Sequence, residues 1–248
     1  MIAVLVTQLA AAAVPSPARW PVDTLIAYEI RVTTTSMHTR GAQFLQSAPT
    51  TRAFRFECTG AAAVARRQRM SCLWLGSGSP ERGRRTSDAP VEAHLVWRDD
   101  GRLLSTEVLG LREGLGIEDR LLEALGAMEL QEPRKPLLVG ASWLQGGNNA
   151  VARIAENPGA TEIRHHVKSI DAEIALVESE ATLWVLMNTM DDIGNRVEYA
   201  GGGWTRYDTA RHLVLERHFA LEPTRVPRDV RGPATLDIYL NLVEPQAQ

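Results

Sequence analysis

Residues 205–219, TRYDTARHLVLERHF, combine one Asp, two His, one Glu and three Arg. Metal sites and acid–base pairs are built from these residue types, so this segment is the first candidate for chemistry. Apolar residues at every second position, however, predict a β-strand over residues 212–222. On a strand, His212 and His218 lie about 20 Å apart, at a rise of about 3.3 Å per residue. They cannot share a metal ion whose ligand bonds are about 2 Å long.

The alternation also divides this strand into two faces. The face predicted to be buried contains Leu213, Leu215, Arg217, Phe219 and Leu221. The opposite face contains His212, Val214, Glu216 and His218. We therefore interpret the segment as the solvent-facing side of a strand, with Arg206 and Asp208 in the turn that precedes it.

The remaining histidines do not form a metal site either. His165 and His166 are adjacent, and adjacent strand residues point to opposite faces of a sheet. His38 and His94 are isolated from the other histidines in the sequence. We predict no metal site and no cofactor.

The glycines Gly201, Gly202 and Gly203 resemble a nucleotide-binding loop only superficially. A phosphate loop places its glycines between a strand and the start of a helix, whereas a turn and a strand follow here. Glycines within a strand mark a bulge, sharp curvature or close approach of another chain, and we favour curvature, with Trp204 covering the gap. The chain has no GxSxG, Walker or HExxH motif. We therefore predict no catalytic residues and expect that the protein is not an enzyme.

Cys58 and Cys72 are the only cysteines. Each lies on the apolar face of an alternating segment, RAFRFECTG and RMSCLWLG. If these segments form a hairpin that turns near residues 64–66, the two cysteines face each other within reach of a disulfide bond. A pair of buried free thiols is the alternative. We favour the disulfide because it agrees with export to an oxidising compartment.

The N-terminus gives a second indication that the protein is exported. Residues 2–14 are apolar apart from Thr7 and Gln8, a length typical of the apolar part of a signal peptide and too short to span a bilayer. Residues 11–13, Ala-Ala-Ala, satisfy the small-residue rule for cleavage, although no Lys or Arg precedes Val14. We predict a signal peptide over residues 1–18, a periplasmic or extracellular location, and no transmembrane helix after it.

Most of the remaining chain alternates with a period of two, which predicts β-strands with one buried face. The clearest strands are 25–32, 91–97 and 235–242, and further strands are predicted at 148–156, 161–170, 172–179, 181–188 and 195–207. We predict a mainly β fold: a curved antiparallel sheet or half-barrel.

One segment has a helical period instead. In residues 116–130 the apolar side chains of Ile117, Leu121, Leu125 and Met128 share one stripe, which predicts the main α-helix. Residues 76–90 are polar and rich in Gly and Pro, which predicts a loop. We expect a single β-rich domain over residues 19–248. A duplicated β-meander, with halves 19–112 and 137–244 joined by the helix, is the alternative.

Composition excludes several classes of function. The net charge of −3 leaves no basic surface field for a nucleic acid, so no nucleic-acid partner is expected. Hydrophobic residues make up 44% of the chain and charged residues 23%, which are ordinary values for a globular protein with a full core.

The second half of the chain carries a set of short motifs. Pro133 and Lys135-Pro136-Leu137 precede Val139-Gly140-Ala141-Ser142-Trp143, and Gly203-Trp204 and a Tyr207-Asp208 turn follow. In these features the chain resembles a loose group of exported bacterial proteins, and its pattern is similar to the lipoprotein-carrier type of fold. The resemblance covers about residues 115–221 and implies a curved antiparallel sheet partly closed over a helix. It carries no catalytic residues, and this chain lacks the lipidated Cys of the lipid-anchored members.

These observations favour a non-enzymatic binding module for a lipid or other apolar ligand, held on the concave side of the sheet. The candidate ligand-facing residues are Trp74, Trp97, Trp143, Trp184 and Trp204. The alternative is a structural or interaction protein of the cell envelope, which would bind an envelope protein through the sheet edges or the 76–90 loop.

Overall fold

A computed structural model of the chain describes residues 20–40, 43–75, 91–110, 124–133, 136–146, 158–188, 193–226 and 231–244. Twelve β-strands account for most of these residues. They are β1 (Leu25–Arg40), β2 (Gln43–Gln46), β3 (Thr50–Gly60), β4 (Arg67–Trp74), β5 (Val91–Arg98), β6 (Leu103–Leu109), β7 (Ser142–Gly146), β8 (Pro158–Asp171), β9 (Ile174–Asn188), β10 (Ile193–Asp208), β11 (Leu213–Arg225) and β12 (Arg231–Val243). The prediction of a mainly β fold is therefore confirmed.

All the strands belong to one antiparallel sheet. Their order is β6-β5-β4-β3-β1-β12-β11-β10-β9-β8-β7, and the short β2 pairs with the end of β1. From β1 the chain winds outward to the edge strand β6, then crosses to the opposite edge and winds back from β7 to β12. The first and last long strands thus pair with each other in the middle of the sheet.

The sheet has one buried face, which we call the core face, and a more exposed outer face. In β5, Val91, Ala93, Leu95 and Trp97 are buried, and the residues between them are partly exposed. Because side chains alternate along a strand, this pattern places every second residue against the core, as the sequence predicts. Buried residues from both halves of the sheet form one hydrophobic cluster.

The sheet is strongly curved. If it were flat, its edge strands β6 and β7 would be separated by ten strand spacings, or about 48 Å. Yet the backbone N–H of Leu103 in β6 donates to Glu129 Oε1 at 3.4 Å, and Trp143 Nε1 in β7 donates to the carbonyl oxygen of Gln131 at 2.7 Å. Residues 129 and 131 can be at most about 7 Å apart along the chain. The sheet therefore curls until both edges reach the same short segment, without closing into a barrel.

Three glycines allow the strands beside β10 to approach unusually closely. A Cβ atom on Gly201, Gly202 or Gly203 would lie 2.0, 2.1 or 1.9 Å from a neighbouring carbonyl oxygen. No side chain fits at these distances, so the local geometry requires glycine. Trp204 follows on the outer face, where its ring centroid lies 6.5 Å from that of His218.

Cys58 and Cys72 face each other across β3 and β4 and form a disulfide, with their sulfur atoms 2.05 Å apart. The predicted pairing is thus confirmed. Close by, the chain that leads into β1 is fixed by Trp20, which is buried against Trp97 with a centroid distance of 5.3 Å. The Gln68 side chain holds the backbone of Trp20 by accepting from its N–H and donating to its carbonyl, both at 2.7 Å.

Several predicted segments fall wholly or partly outside the described residues: the signal peptide 1–18, the loop 76–90, the strand 148–156 and most of the helix 116–130. Of that helix, only residues 124–126 are described as helical, and a turn follows at 127–128. Within the described ranges, no helix is long and apolar enough to cross a membrane.

Candidate functional site

The core face is occupied by a segment that does not belong to the sheet. We call residues 124–132 the core segment. Its apolar side chains are at most 4% exposed and belong to the main hydrophobic cluster. These side chains are Ala124, Leu125, Ala127, Met128 and Leu130. The core segment therefore covers the core face of the sheet with apolar side chains, as a second layer does in a sandwich fold.

Arg217 of β11 holds the core segment from the sheet side. Its Nη1 donates to the carbonyl oxygens of Ala127 and Glu129, both at 2.7 Å, and its Nε donates to Thr205 Oγ1 at 3.0 Å. Burial lowers the pKa of Arg217 to about 10, against the opposing effect of the Glu129 carboxylate. The guanidinium is therefore still charged at neutral pH, inside the protein.

A neutral hydrogen-bonded trio lies farther along the same face. His165 Nε2 is 2.9 Å from Gln145 Oε1, and His165 Nδ1 is 2.9 Å from Ser179 Oγ. Because a carboxamide oxygen only accepts, Nε2 carries the proton and Nδ1 accepts from the Ser179 hydroxyl. The Trp143 ring packs on the imidazole with a centroid distance of 4.9 Å. Burial, with a smaller effect of the Arg217 charge, lowers the pKa of His165 to about 3.

The strand register explains why these residues meet. Trp143 pairs with His165, His165 with Ser179, and Ser179 with Gly203, so these residues lie in one row across neighbouring strands, and Gln145 lies two residues along β7 from Trp143. Thr205 pairs with Arg217, two residues along β10 from Gly203. We call five neighbouring polar side chains of this face the polar cluster: Gln145, His165, Ser179, Thr205 and Arg217.

The polar cluster contains an arrangement that could be mistaken for a catalytic one. The order Ser179–His165–Gln145 resembles that of a nucleophile, a base and an orienting group. An imidazole with a pKa of about 3, however, is too weak a base to activate a hydroxyl at neutral pH. The cluster instead offers one fixed positive charge and several neutral hydrogen-bonding groups within an apolar surface, the composition typical of a ligand site.

A second group of contacts fixes the end of the core segment. Tyr207 donates its hydroxyl hydrogen to the Glu132 carboxylate, and His212 Nδ1 lies 2.9 Å from Glu132 Oε1. The backbone N–H of Glu132 donates to the Asp100 carbonyl oxygen at 2.8 Å. The turns at the ends of β5 and β10 are thus joined through Glu132.

The five tryptophans predicted to face a ligand lie on both sides of the sheet. Trp97 is fully buried on the core face, and Trp74 and Trp143 pack partly buried against the same cluster. Trp184 lies on the outer face beneath the Arg196 guanidinium, which is 5.0 Å from the ring centroid. Trp204 lies on the outer face as well, so the structure brings three of the five to the core.

The histidines diverge as the sequence predicts. His165 is 3% exposed on the core face, and His166 is exposed on the outer face, where its Nδ1 lies 2.9 Å from Ser142 Oγ. His212 lies in the turn before β11, and His218 Nε2 lies 3.2 Å from Asp237 Oδ2 on the outer face. In the described part of the chain, no three His, Cys, Asp or Glu side chains converge as metal ligands would.

Sequence reasoning placed Arg217 on the buried face of its strand but gave it no role. The signal was a single arginine among the alternating apolar residues of β11, since a buried charge needs partners. It also placed Val214 on the exposed face, and this was wrong. Val214 is 1% exposed because a bulge between Val214 and Glu216 shifts the alternation.

Comparison with known proteins assigns no family: no family model matches the chain, and no curated protein matches it significantly. The core face, the core segment and the polar cluster are therefore the features from which a function can be inferred.

Proposed function

We propose that this protein is an exported, non-enzymatic binding protein for a lipid or other apolar molecule, which occupies the core face when the core segment moves away. One observation carries the proposal. Among the described residues, the interior of an open, curled sheet is filled by a short apolar segment that forms no β-bridge with a strand. A long apolar ligand could replace that segment without breaking the sheet.

The free energies of the two occupants are comparable. Burial of the three large side chains Leu125, Met128 and Leu130 contributes about 5–9 kcal/mol, at about 1.5–3 kcal/mol each. A chain of about sixteen methylene groups contributes about 13 kcal/mol on the same scale, at about 0.8 kcal/mol each. The difference between these two burial free energies can offset the cost of ordering the ligand and of releasing the core segment.

The disulfide supports the exported location. Disulfides persist in oxidising compartments and are rare in the cytosol. Cys58 and Cys72 are bonded, and the apolar residues 2–14 have the character of a signal peptide. We place the protein in the periplasm or outside the cell, in keeping with its resemblance to exported bacterial proteins.

Binding is tested by weakening the hold of the core segment. In Leu125→Ala, a fully buried side chain of the core segment is truncated, which costs about 2–5 kcal/mol in a well-packed core. The apparent affinity of a ligand rises with the fraction of molecules whose site is open. We expect a naphthylamine probe that fluoresces in apolar surroundings to bind Leu125→Ala at least tenfold more tightly than the parent protein.

The matched control is Leu95→Ala, which truncates an equally buried leucine of β5 in the sheet itself. It should lower stability without a comparable gain in probe affinity. Equal probe binding by the parent and both variants would show that the core segment is a permanent part of the core. Extraction of the protein from an oxidising host, followed by mass spectrometry, would identify a co-purified ligand directly.

A second function is favoured by a different observation. Leu138, Val139 and Leu144, beside or within the edge strand β7, are 65%, 62% and 58% exposed. Exposed apolar side chains at a sheet edge favour pairing with another protein, as an envelope interaction protein would require. In that case Leu144→Arg would abolish recovery of the partner after cross-linking in cells. Probe binding to the core face would be unaffected.

A further inference from the structure

We propose that the ligand carries a carboxylate, and that this group takes the place of the core segment on Arg217. The inference rests on the proposed function, and it names the chemical class of the ligand: a single long apolar chain that ends in an acid group. The carboxylate would receive the hydrogen bonds that Arg217 now donates to the core segment.

Arg217 loses most of its hydrogen-bond acceptors when the core segment leaves. Two of its three hydrogen-bond acceptors, the carbonyl oxygens of Ala127 and Glu129, belong to that segment. The Glu129 carboxylate, which is 3% exposed and interacts favourably with the guanidinium charge, belongs to it as well. On the sheet side the hydroxyl of Thr205 remains as a hydrogen-bond acceptor, and Tyr28 remains as a favourable neighbour of the charge.

The groups that could replace these partners lie on the sheet around Arg217. A buried guanidinium without a counter-charge is strongly unfavourable. The neighbouring polar side chains Gln145, His165 and Ser179 are neutral and already bonded to one another. Within the described ranges, no carboxylate of the sheet hydrogen-bonds to Arg217. The incoming molecule must therefore bring an acceptor oxygen and a negative charge.

A carboxylate provides the acceptor oxygens and the negative charge that Arg217 requires. The core segment contributes one negative charge and two acceptor oxygens beside Arg217, and a carboxylate provides the same charge and two oxygens in one group. Guanidinium and carboxylate form short, directional, charge-assisted hydrogen bonds. The chain behind the carboxylate would lie on the apolar surface that Leu125 and Met128 cover now.

The test compares dodecanoate with dodecanol as competitors for the fluorescent probe. Both ligands must displace the core segment, so the ratio of their affinities cancels the cost of opening and reports only the head group. We expect the parent protein to prefer dodecanoate at least tenfold. In Arg217→Met the preference should disappear or reverse, because the carboxylate would then be buried without a partner.

Two further variants make the comparison decisive. Arg196→Met removes one positive charge from the outer face and should leave the ratio unchanged, since Arg196 packs on Trp184 away from the core. Arg217→Lys keeps the charge without the planar donor pair, so we expect a reduced preference for dodecanoate. It also serves as the test if Arg217→Met does not fold.

The outcomes separate this inference from the proposed function. Equal affinity of the parent protein for the two ligands would overturn the carboxylate and leave the binding function intact. A preference for dodecanoate that persisted in both Arg217 variants would overturn the assignment to Arg217. Absence of probe binding to both the parent protein and Leu125→Ala would overturn the binding function itself.

Discussion

Two buried residues of the polar cluster respond to the same surroundings in different ways. Burial lowers the pKa of both bases, but Arg217 starts so high that it remains charged, whereas His165 loses its charge at any physiological pH. One face thus contains a permanent cation beside a permanently neutral imidazole. The anionic head group that we propose for the ligand would therefore meet its counter-charge at Arg217.

His165 should make the protein less stable in mild acid. Its pKa is about 3 in the folded protein and about 6.5 when exposed, so between these values the unfolded chain binds more protons. The stability that comes from keeping His165 neutral is fully present above about pH 6.5. It is lost progressively as the pH falls toward 3. At pH 5 the loss from this residue alone is about 2 kcal/mol, at about 1.4 kcal/mol per pH unit.

Urea unfolding at pH 7 and pH 5 measures this effect. In His165→Gln, which keeps a neutral hydrogen-bonding side chain, the loss between the two pH values should be smaller by about 2 kcal/mol. His94→Gln removes an exposed histidine, whose side chain is 42% exposed, and should retain the loss seen in the parent protein. An identical loss in His165→Gln would mean that burial does not lower the pKa of His165 in the folded protein.

At the scale of the elements, the glycines of β10 are required by contact with the neighbouring backbones. In Gly202→Ala the new Cβ atom would lie 2.1 Å from the carbonyl oxygen of Ser179. The two strands must separate, and we expect a loss of about 3 kcal/mol or more, at the upper end of overpacking effects. The free energy of unfolding in urea measures the loss.

Gly140→Ala is the comparison that isolates contact from conformation. Gly140 has a φ of +84°, but a Cβ atom there would meet nothing within 4 Å. The variant should lose only the conformational cost of a left-handed residue, about 1–2 kcal/mol. A loss in Gly202→Ala no greater than this would contradict the close approach of β9 and β10.

The disulfide stabilises the hairpin of β3 and β4 by restricting the unfolded chain. Cys58 and Cys72 are 14 residues apart, and a bridge that closes a loop of this length contributes about 3 kcal/mol. Cys58→Ala combined with Cys72→Ala should lower the free energy of unfolding by about this amount. Added reductant should then have no further effect on the double variant, whereas it should destabilise the parent protein.

The strands could be predicted because burial of one face produces an alternation of apolar and polar residues within each strand. Alternation in residues 91–97 and 235–242 identified β5 and β12, and the facing positions of Cys58 and Cys72 followed from the same rule. The polar cluster could not be predicted, because it depends on which strands are neighbours and in which register. Nothing local to His165 indicates that Ser179 and Gln145 will lie beside it.

At the scale of the whole molecule, the sheet and the core segment should behave as separate units of stability. The strands are bonded to neighbours along their length, whereas the contacts described between the core segment and the sheet are mainly side-chain hydrogen bonds and packing. Segments with few backbone bonds to the rest of a protein open at lower free energy than its central strands.

Hydrogen exchange tests this separation. The amides of Ala127 and Glu129 donate within the local turn, to the carbonyl oxygens of Ala124 and Gly126. We expect them to exchange through an opening that leaves the amides of β9 and β10 protected. Leu125→Ala should accelerate the first group alone. Exchange of both groups in one cooperative step would show that the core segment opens only when the sheet unfolds.

The pairing of β1 with β12 has a consequence for the order of folding. Thr35 and Thr235, whose hydroxyl groups lie 2.8 Å apart across these strands, are separated by 200 residues in the sequence. During synthesis β1 can pair with β3 early, but its other edge stays unpaired until the last strand has been made. Such non-local pairing slows folding and leaves an edge exposed to aggregation. If the chain is exported unfolded, as we propose, and folds only after β12 has emerged, the half-built edge is never exposed to the crowded cytosol.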